Sequence, residues 1–319
     1  MTDRPIELQP PDIARWRAGN TGTEYVWRFD SGVRGPSVMV QALTHGNELC
    51  GAIALDALLA GALRPARGAL TLAFANVEAF ARWDPADPDR SRYVDEDYNR
   101  VWGDDALGGL RDSVELRRAR ALRPFVDAAD YLLDIHSMHE PCRPIMVCGA
   151  TGRGGDKSAA FARRMGVPGD LLIDTGHPAG LRMIERGAFG DPHDPRTALL
   201  IECGQHWERA AADVAVDTLL RFLAATGCVD AAAVAPLLRV APPAAQRTVR
   251  VTEPVVARSL SFRFVAPFTG LEVIPRRGDP IAHDGDTVIR APYDDTVLVM
   301  PSMAHLKVGT TMVRLGRYE

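Results

Sequence analysis

The chain has little from which to build a covalent framework. Its five cysteines are odd in number and scattered at positions 50, 142, 148, 203 and 228, and no two form a Cys-x-x-Cys pair. That argues against a disulfide scaffold and a structural zinc knuckle, and suits reduced thiols buried as small apolar groups. No apolar run is long enough to span a bilayer, and the segment Met1-Thr-Asp-Arg-Pro-Ile-Glu-Leu-Gln-Pro10 lacks the apolar core of a signal peptide. The expected location is therefore cytoplasmic, with no membrane partner. Excess positive charge is missing too. A formal net charge of -4 argues against a general nucleic-acid binder, which needs a basic patch to displace counterions from phosphates. No repeat of solenoid period is present.

What remains is an ordinary globular composition. With 319 residues, 46% of them hydrophobic and 24% charged, the chain can bury a large core, in one domain or in a large one with a smaller partner. Apolar runs predict strands over 24–29, 38–44 and 69–76, with a helix over 47–63 between the second and third. This alternation predicts an α/β fold, a mixed and mostly parallel sheet with helices on both faces. A long polar loop over 83–102 follows, of a length that is commonly functional, and a helix over 113–129 delivers the chain to a strand ending at His136. Further on, strands are expected at 145–148 and 171–174, helices at 156–165 and 208–225, and an exposed loop at 187–196. The Ala- and Pro-rich stretch 231–247 marks the expected boundary between an α/β catalytic domain, 1–235, and a small all-β domain, 236–319. That second domain shows short runs of β-formers at 262–265, 271–274, 287–290, 296–300 and 311–315. A carrier hairpin would need a lysine at its tip, and Lys307 lies outside the candidate hairpin 285–295. The domain is read instead as a cap, or as a contact between copies in a homo-oligomer.

Three strand ends carry the chemistry. The first apolar run ends in His45-Gly-Asn-Glu48, where a glycine turn can put imidazole and carboxylate on one side. Zinc used catalytically takes three protein ligands and leaves a position for water, so a third is required. Tyr131-Leu-Leu-Asp-Ile-His136 offers it, with Asp134 two residues earlier on the same strand face, where a carboxylate can orient a ligating ring. A third run, Thr197-Ala-Leu-Leu-Ile-Glu202-Cys-Gly204, ends in a glutamate. Open α/β sheets gather ligand chemistry beyond the carboxyl ends of their strands. His45, Glu48 and His136 are accordingly read as metal ligands and Glu202 as the general base. His139 competes with His136 but does not close the strand, and is read as lining the pocket or lying on the surface. His206 and Glu208 are read as first-turn helix residues without chemistry in preference to a catalytic role, and Arg182, Arg186 and Arg196, candidates for an extra substrate contact, are read in preference as solvated.

Taken together, His45-Gly-Asn-Glu48, Arg92-Tyr-Val-Asp-Glu-Asp-Tyr-Asn99-Arg100, Asp134-Ile-His136 and Glu202-Cys-Gly204 resemble, in order and rough spacing, the succinylglutamate desuccinylase and aspartoacylase family, a branch of the zinc carboxypeptidase-like hydrolases. The resemblance implies a deacylase with one Zn2+ per chain that cleaves the linear amide of a small N-acyl amino acid or related N-acylated amine. By the same resemblance His45, Glu48 and His136 hold zinc, Arg92 polarises the scissile carbonyl, Asn99 and Arg100 hold a substrate carboxylate, and Glu202 is the acid/base. Tyr98 stands where the family commonly has leucine, Met138 stands where it frequently has threonine, and 139–143 matches nothing assigned in it. These departures bear on acyl specificity. Two other readings stay open: a metallocarboxypeptidase acting on short peptides, and a non-catalytic binding protein on the same scaffold. A cap that narrows the cleft speaks against the first. Glu202 and Arg92 speak against the second, since neither is needed merely to hold a ligand.

Overall fold

A computed structural model describes residues 4–304 and 306–319. Strand formation follows the apolar runs: β1 (Val26–Asp30), β2 (Ser37–Ala42), β3 (Ala69–Phe74), β4 (Tyr131–Met138), β5 (Ile145–Ala150), β6 (Asp170–Asp174) and β7 (Thr197–Gln205). Seven more follow: β8 (Arg247–Val256), β9 (Arg263–Phe264), β10 (Glu272–Ile274), β11 (Pro280–Asp284), β12 (Thr287–Arg290), β13 (Thr296–Val299) and β14 (Thr311–Tyr318). One sheet runs in the order β1-β3-β2-β4-β7-β5-β6-β8-β14-β13-β10, and a small second one in the order β12-β11-β9. Its centre, β3-β2-β4-β7, is parallel, whereas β5 runs antiparallel to β7 and the outer end from β8 to β10 is antiparallel throughout.

Side chains alternate across the strands, and each face meets its own layer. Val38, Val40, Leu70, Leu72, Leu133, Ile135, Leu199 and Ile201 pack with the helices Leu49–Ala60, Gly155–Met165 and Arg209–Ala225. Met39, Ala73, Leu132, Ala198 and Leu200 pack with the helix Val114–Asp127 on the opposite side. Each buried Leu or Ile side chain stabilises by roughly 1.5–3 kcal/mol, so the two apolar layers fix the register of the central strands. A mixed sheet with helices on both faces, mostly parallel within its α/β part, matches the expectation.

The helix expected over 47–63 is shorter, Leu49–Ala60, because Asn47 and Glu48 are held in the turn that precedes it. Two strands escaped the reading of the sequence, β8 and β11. Arg247-Thr-Val-Arg-Val-Thr-Glu-Pro-Val-Val256 mixes charge with a proline, a composition that argues against an inner strand. Even so, β8 pairs in parallel with β6 and antiparallel with β14. The hydrogen-bonded sheet therefore continues from the α/β part into the C-terminal strands, whose inner face, Val249, Val251, Val297 and Val299, shares a core with Leu172 and Leu200. Two of the three arginines expected in solvent are buried instead. Arg182 forks onto Asp174 at 2.7 and 2.8 Å and onto Glu185 at 2.7 and 3.1 Å, and Arg186 pairs with Asp127 and Asp104. Nearby carboxylates, invisible in a linear reading, make burial tolerable. Arg196 remains partly exposed beside Asp194. Among the described residues no helix is long and apolar enough to cross a membrane.

The long loop is anchored rather than free. It makes two 3-10 turns, Pro88–Ser91 and Tyr98–Arg100, and buries Tyr98 and Trp102 edge to face, with ring centroids 5.6 Å apart. Its main anchor is Glu115, fully buried in the first turn of the Val114–Asp127 helix. The Glu115 carboxylate accepts from the backbone amides of Val94 (2.7 Å), Asp95 (3.1 Å) and Glu96 (3.2 Å) and from Asn76 Nδ2 (2.9 Å). Asp95 answers by accepting from Val114 N at 2.8 Å. In the variant Glu115→Gln an amide donor would face backbone donors inside the protein. We expect it to lose about 2–4 kcal/mol of stability, read as a lowered denaturant midpoint, with Glu115→Asp losing less.

Candidate active site

Strand β2 is followed by Leu43, a buried residue held in the left-handed region at φ 61°. A leucine there is strained, and the chain turns at this point, two residues before His45. Gly46 comes next. A Cβ at this position would lie 2.3 Å from Ser91 O and 2.4 Å from Phe80 N, so only glycine lets the turn touch the loop that carries Arg92. Gly46 N donates to Arg92 O at 3.1 Å. The turn and the loop are thus joined at the backbone, and Glu48 is delivered at the foot of the Leu49–Ala60 helix.

His136 lies near the end of β4, and its register partner on β7 is Glu202. Beyond this pair β7 carries one extra residue, since Met138 pairs with Gln205. The bulge is made at Cys203-Gly204, with Gly204 at φ 117°, and such bulges re-aim side chains at the end of a ladder. His45, Glu48 and His136, all buried, each offer a ligand atom, and these atoms lie within 4.8 Å of one another. No other such group of three among the described residues could hold a metal ion.

The contacts within the group are specific. Glu48 Oε1 lies 2.7 Å from His45 Nδ1, and Oε2 lies 3.0 Å from His136 Nδ1. His136 turns its other nitrogen, Nε2, to Asp134 Oδ2 at 2.8 Å, while Asp134 Oδ1 accepts from Thr44 Oγ1 at 2.7 Å. His45 Nε2 faces Asp97 Oδ1 at 3.0 Å. Each imidazole therefore has a carboxylate behind it and Nδ1 directed inward, the arrangement that raises ligand basicity. Burial by itself would raise the Glu48 carboxyl, but His45 and His136 hold it well below the usual carboxylate range. For His136 burial works against the charged form, and Asp134 and Glu48 outweigh it, raising the imidazole well above its ordinary value.

Glu202 is different. Burial pushes its carboxyl up to about 8, and its Oε2 is enclosed with no hydrogen-bond partner among the described residues. An orphan carboxylate oxygen beside a cluster of ligand-type atoms is what a site built for a cation and its water requires. The donor set, two imidazoles and a carboxylate, fits zinc. Arg92 Nη1 stands 3.7 Å from Glu48 Oε1 and Nη2 stands 3.4 Å from Asp97 Oδ2. Arg100 approaches Asp97 Oδ2 at 3.8 Å and donates to Asn99 O at 2.7 Å. Asn99 is buried, and its Oδ1 accepts from Met183 N at 3.3 Å.

All seven residues singled out in the sequence line one cavity of about 230 Å3. His139 lines it too, bonded to Asp89 at 3.2 Å and Glu140 at 3.1 Å. His206 was expected to be an idle helix residue. It lies instead before the helix, buried in the cavity wall with Nδ1 2.8 Å from Ser137 Oγ. Sequence reading also missed Asp97, which touches His45, Arg92 and Arg100. Its place midway between Arg92 and Arg100 was the available signal.

Residues 34–193, half of the chain, match the sequence profile of the succinylglutamate desuccinylase/aspartoacylase catalytic domain. No curated protein matches the chain in sequence. Among solved structures, succinylglutamate desuccinylase from Vibrio cholerae is similar with a TM-score of 0.66 at 18% identity, over 93% of this chain and 88% of that one. Succinylglutamate desuccinylase/aspartoacylase from Rhodobacter sphaeroides gives 0.64 at 18% identity, over 90% and 87%. The product-bound ectoine utilization protein of Ruegeria pomeroyi gives 0.61 at 15% identity, over 89% and 85%. At these identities the likeness is one of fold, and it spans the C-terminal strands as well as the α/β part.

The geometry around Asp134 yields a test independent of turnover. Replacing Asp134 by Asn keeps the shape but removes the charge behind His136. We expect zinc affinity, measured by competition with a chromogenic chelator, to fall about 10- to 100-fold.

Proposed function

The chain belongs to the succinylglutamate desuccinylase/aspartoacylase family of hydrolases, and from that premise we propose that it is a zinc-dependent deacylase that hydrolyses the amide of a small N-acyl amino acid. The observation that carries this reading is the register of β4 and β7, which sets Glu202 opposite His136 with an unpaired oxygen beside the His45, Glu48 and His136 cluster. A zinc ion on these three residues would supply Lewis acidity and bring water to a pKa of about 7.

The chain's own side chains do the rest. Glu202, whose affinity for a proton is raised by burial, takes the proton of the attacking water and returns it to the departing amine. A group that must gain and lose a proton near neutrality needs such tuning. Arg92, next to Glu48, donates to the oxyanion that forms on the amide oxygen. Arg100 offers a planar fork to a substrate carboxylate, and Asn99 holds the loop in place through Met183 and flanks that carboxylate. Asp97 accepts from the backbone of Asn99 at 2.8 Å and, held well below the usual carboxylate range by His45, Arg100 and Arg92 against the effect of burial, fixes the spacing of the two guanidiniums.

Enclosure favours a small substrate over a peptide. Gly270, Met300, Pro301 and Ser302 from the C-terminal part line the cavity together with Met138 to Cys142, and about 230 Å3 accommodates an acylated amino acid rather than a chain. The test is a panel of N-acyl amino acids and C-terminally free peptides offered to zinc-loaded protein. Hydrolysis of the former, lost on chelation and restored by zinc, is expected; hydrolysis of peptides alone would reverse the assignment. With Glu202→Gln, turnover should drop by about 10²- to 10⁴-fold at unchanged zinc content.

A further inference from the structure

Three buried polar atoms at one face of the sheet have no hydrogen-bond partner among the described residues: Gln41 Oε1, Tyr98 Oη and Trp102 Nε1. In the parallel ladders Gln41 on β2 is the register partner of Ala73 on β3 and of Asp134 on β4. Met39 and Leu132, two residues earlier on the same strands, pack with Ala73, Tyr98 and Trp102 in one apolar cluster. Strand alternation therefore turns Gln41 and Asp134 toward the layer to which Tyr98 belongs. Asp134 is the carboxylate behind His136, and Gln41, Thr44, Tyr98 and Asp134 are all closed off from solvent.

The hydrogen bonds around Asp134 run in a fixed direction. A carboxylate only accepts, so Thr44 Oγ1 gives its proton to Asp134 Oδ1 at 2.7 Å, and the Thr44 oxygen accepts from Gln41 Nε2 at 2.8 Å. Gln41 Nε2 also stands 3.5 Å from Asp134 Oδ1. Reversing the Gln41 amide would set its oxygen against the oxygens of Thr44 and Asp134. Oε1 therefore faces away from them, and there it needs a donor. Tyr98 carries one: burial raises its phenol above the ordinary range, Asp134 adds to this, and the hydroxyl keeps its proton. A leucine or phenylalanine would fill the same apolar cluster without burying a hydroxyl, which destabilises the protein when it has no partner.

We propose that Tyr98 is a positioning residue of the metal centre, its hydroxyl acting through one internal water on Gln41 Oε1, so that Gln41 and Thr44 hold Asp134 aimed at His136. Such a water accepts from Tyr98 and donates to Gln41, with Trp102 Nε1 as a second donor, and about three bonds are usual for a buried water. Every donor in the series Tyr98, water, Gln41 and Thr44 then points toward the Asp134 carboxylate, and bonds aligned in this way polarise one another. The effect reaches the ion through a fixed His136 ring. The inference rests on the reading of His45, Glu48 and His136 as a zinc site, and not on the identity of the substrate.

Zinc affinity, measured by competition with a chromogenic chelator, tests it. Tyr98→Phe keeps the ring and removes the donor, and affinity should fall about 3- to 10-fold. Gln41→Met, at the other end of the bridge, should give a loss of similar size. Combining the two should weaken zinc no more than either alone, and in the Asp134→Asn background Tyr98→Phe should have no further effect. A crystal structure of the zinc-loaded protein should show one ordered water between Tyr98 Oη and Gln41 Oε1; both atoms still unpaired there would overturn the bridge. Unmoved zinc affinity in Tyr98→Phe, with its fold intact by circular dichroism, overturns the role of Tyr98. So does a loss that persists in full in the Asp134→Asn background, since a residue that merely packs would act without Asp134. Protein that binds no zinc before any substitution overturns the metal reading and the inference together.

Discussion

Glu48 is 1% exposed, and each of its oxygens faces an imidazole. Moving a carboxylate out of water costs several kcal/mol even after relaxation, so positive charge has to stand close by wherever this residue is folded. His45 and His136 meet that demand in the protein, and a divalent ion among the three would meet it more fully. Both rings face Glu48 through Nδ1, and their outer nitrogens face Asp97 and Asp134. The two acids behind the rings thus follow from the one acid between them, and the site is a layered arrangement of alternating charge rather than a set of separate ligands.

That arrangement depends on parallel register. Apolar alternation locks β2, β4 and β7 side by side, which brings the ends of all three to one edge of the sheet. Distance along the chain then matters little, since His45 and Glu202 are joined through two ladders. The loop carrying Arg92, Asn99 and Arg100 is not part of the sheet and needs its own anchor. Glu115 provides this through three backbone amides, and Gly46 joins the same loop to the turn after β2. Two unrelated contacts, one acidic and one steric, therefore set the arginines against the cluster.

The sequence disclosed the parts of this design that have a period or a local string. Strands of continuous apolar residues are unambiguous, and a histidine that closes one of them has a defined position in space. Hence β2, β4 and β7 and the residues at their ends could be read directly. Glu202 was legible in the same way, although it lies beyond residues 34–193 of the matched domain; its strand and the register opposite His136 bring it in. What could not be read was whatever depends on a partner far away in the chain. Arg182 and Arg186 look like surface arginines until Asp174, Glu185, Asp104 and Asp127 are brought beside them. β8 looks like a linker until β6 and β14 flank it, because its stability comes from pairing on both edges and not from its composition. Glu115 is an ordinary helix residue in the sequence, and its weight comes from amides about twenty residues earlier.

The cavity carries charge of both signs: Glu48 and Glu202 line it, and so do Arg92, Arg100, Arg182 and Arg314, with Asp97 bridging Arg92 and Arg100 behind the wall. On the proposed reading a substrate sets its amide by Glu202 and its carboxylate by Arg100, since the reverse would set like charges together in a medium of low dielectric. Arg182 contributes shape more than charge, its two carboxylates having already neutralised it. Arg100 and Arg314 reach the cavity from distant parts of the chain: one on a loop of the α/β part, the other on β14 of the same sheet. Continuity of that sheet through β6 and β8 is what holds the two at a fixed separation. Strands read in the sequence as a cap or an oligomer contact thus share the sheet and the cavity with the α/β part.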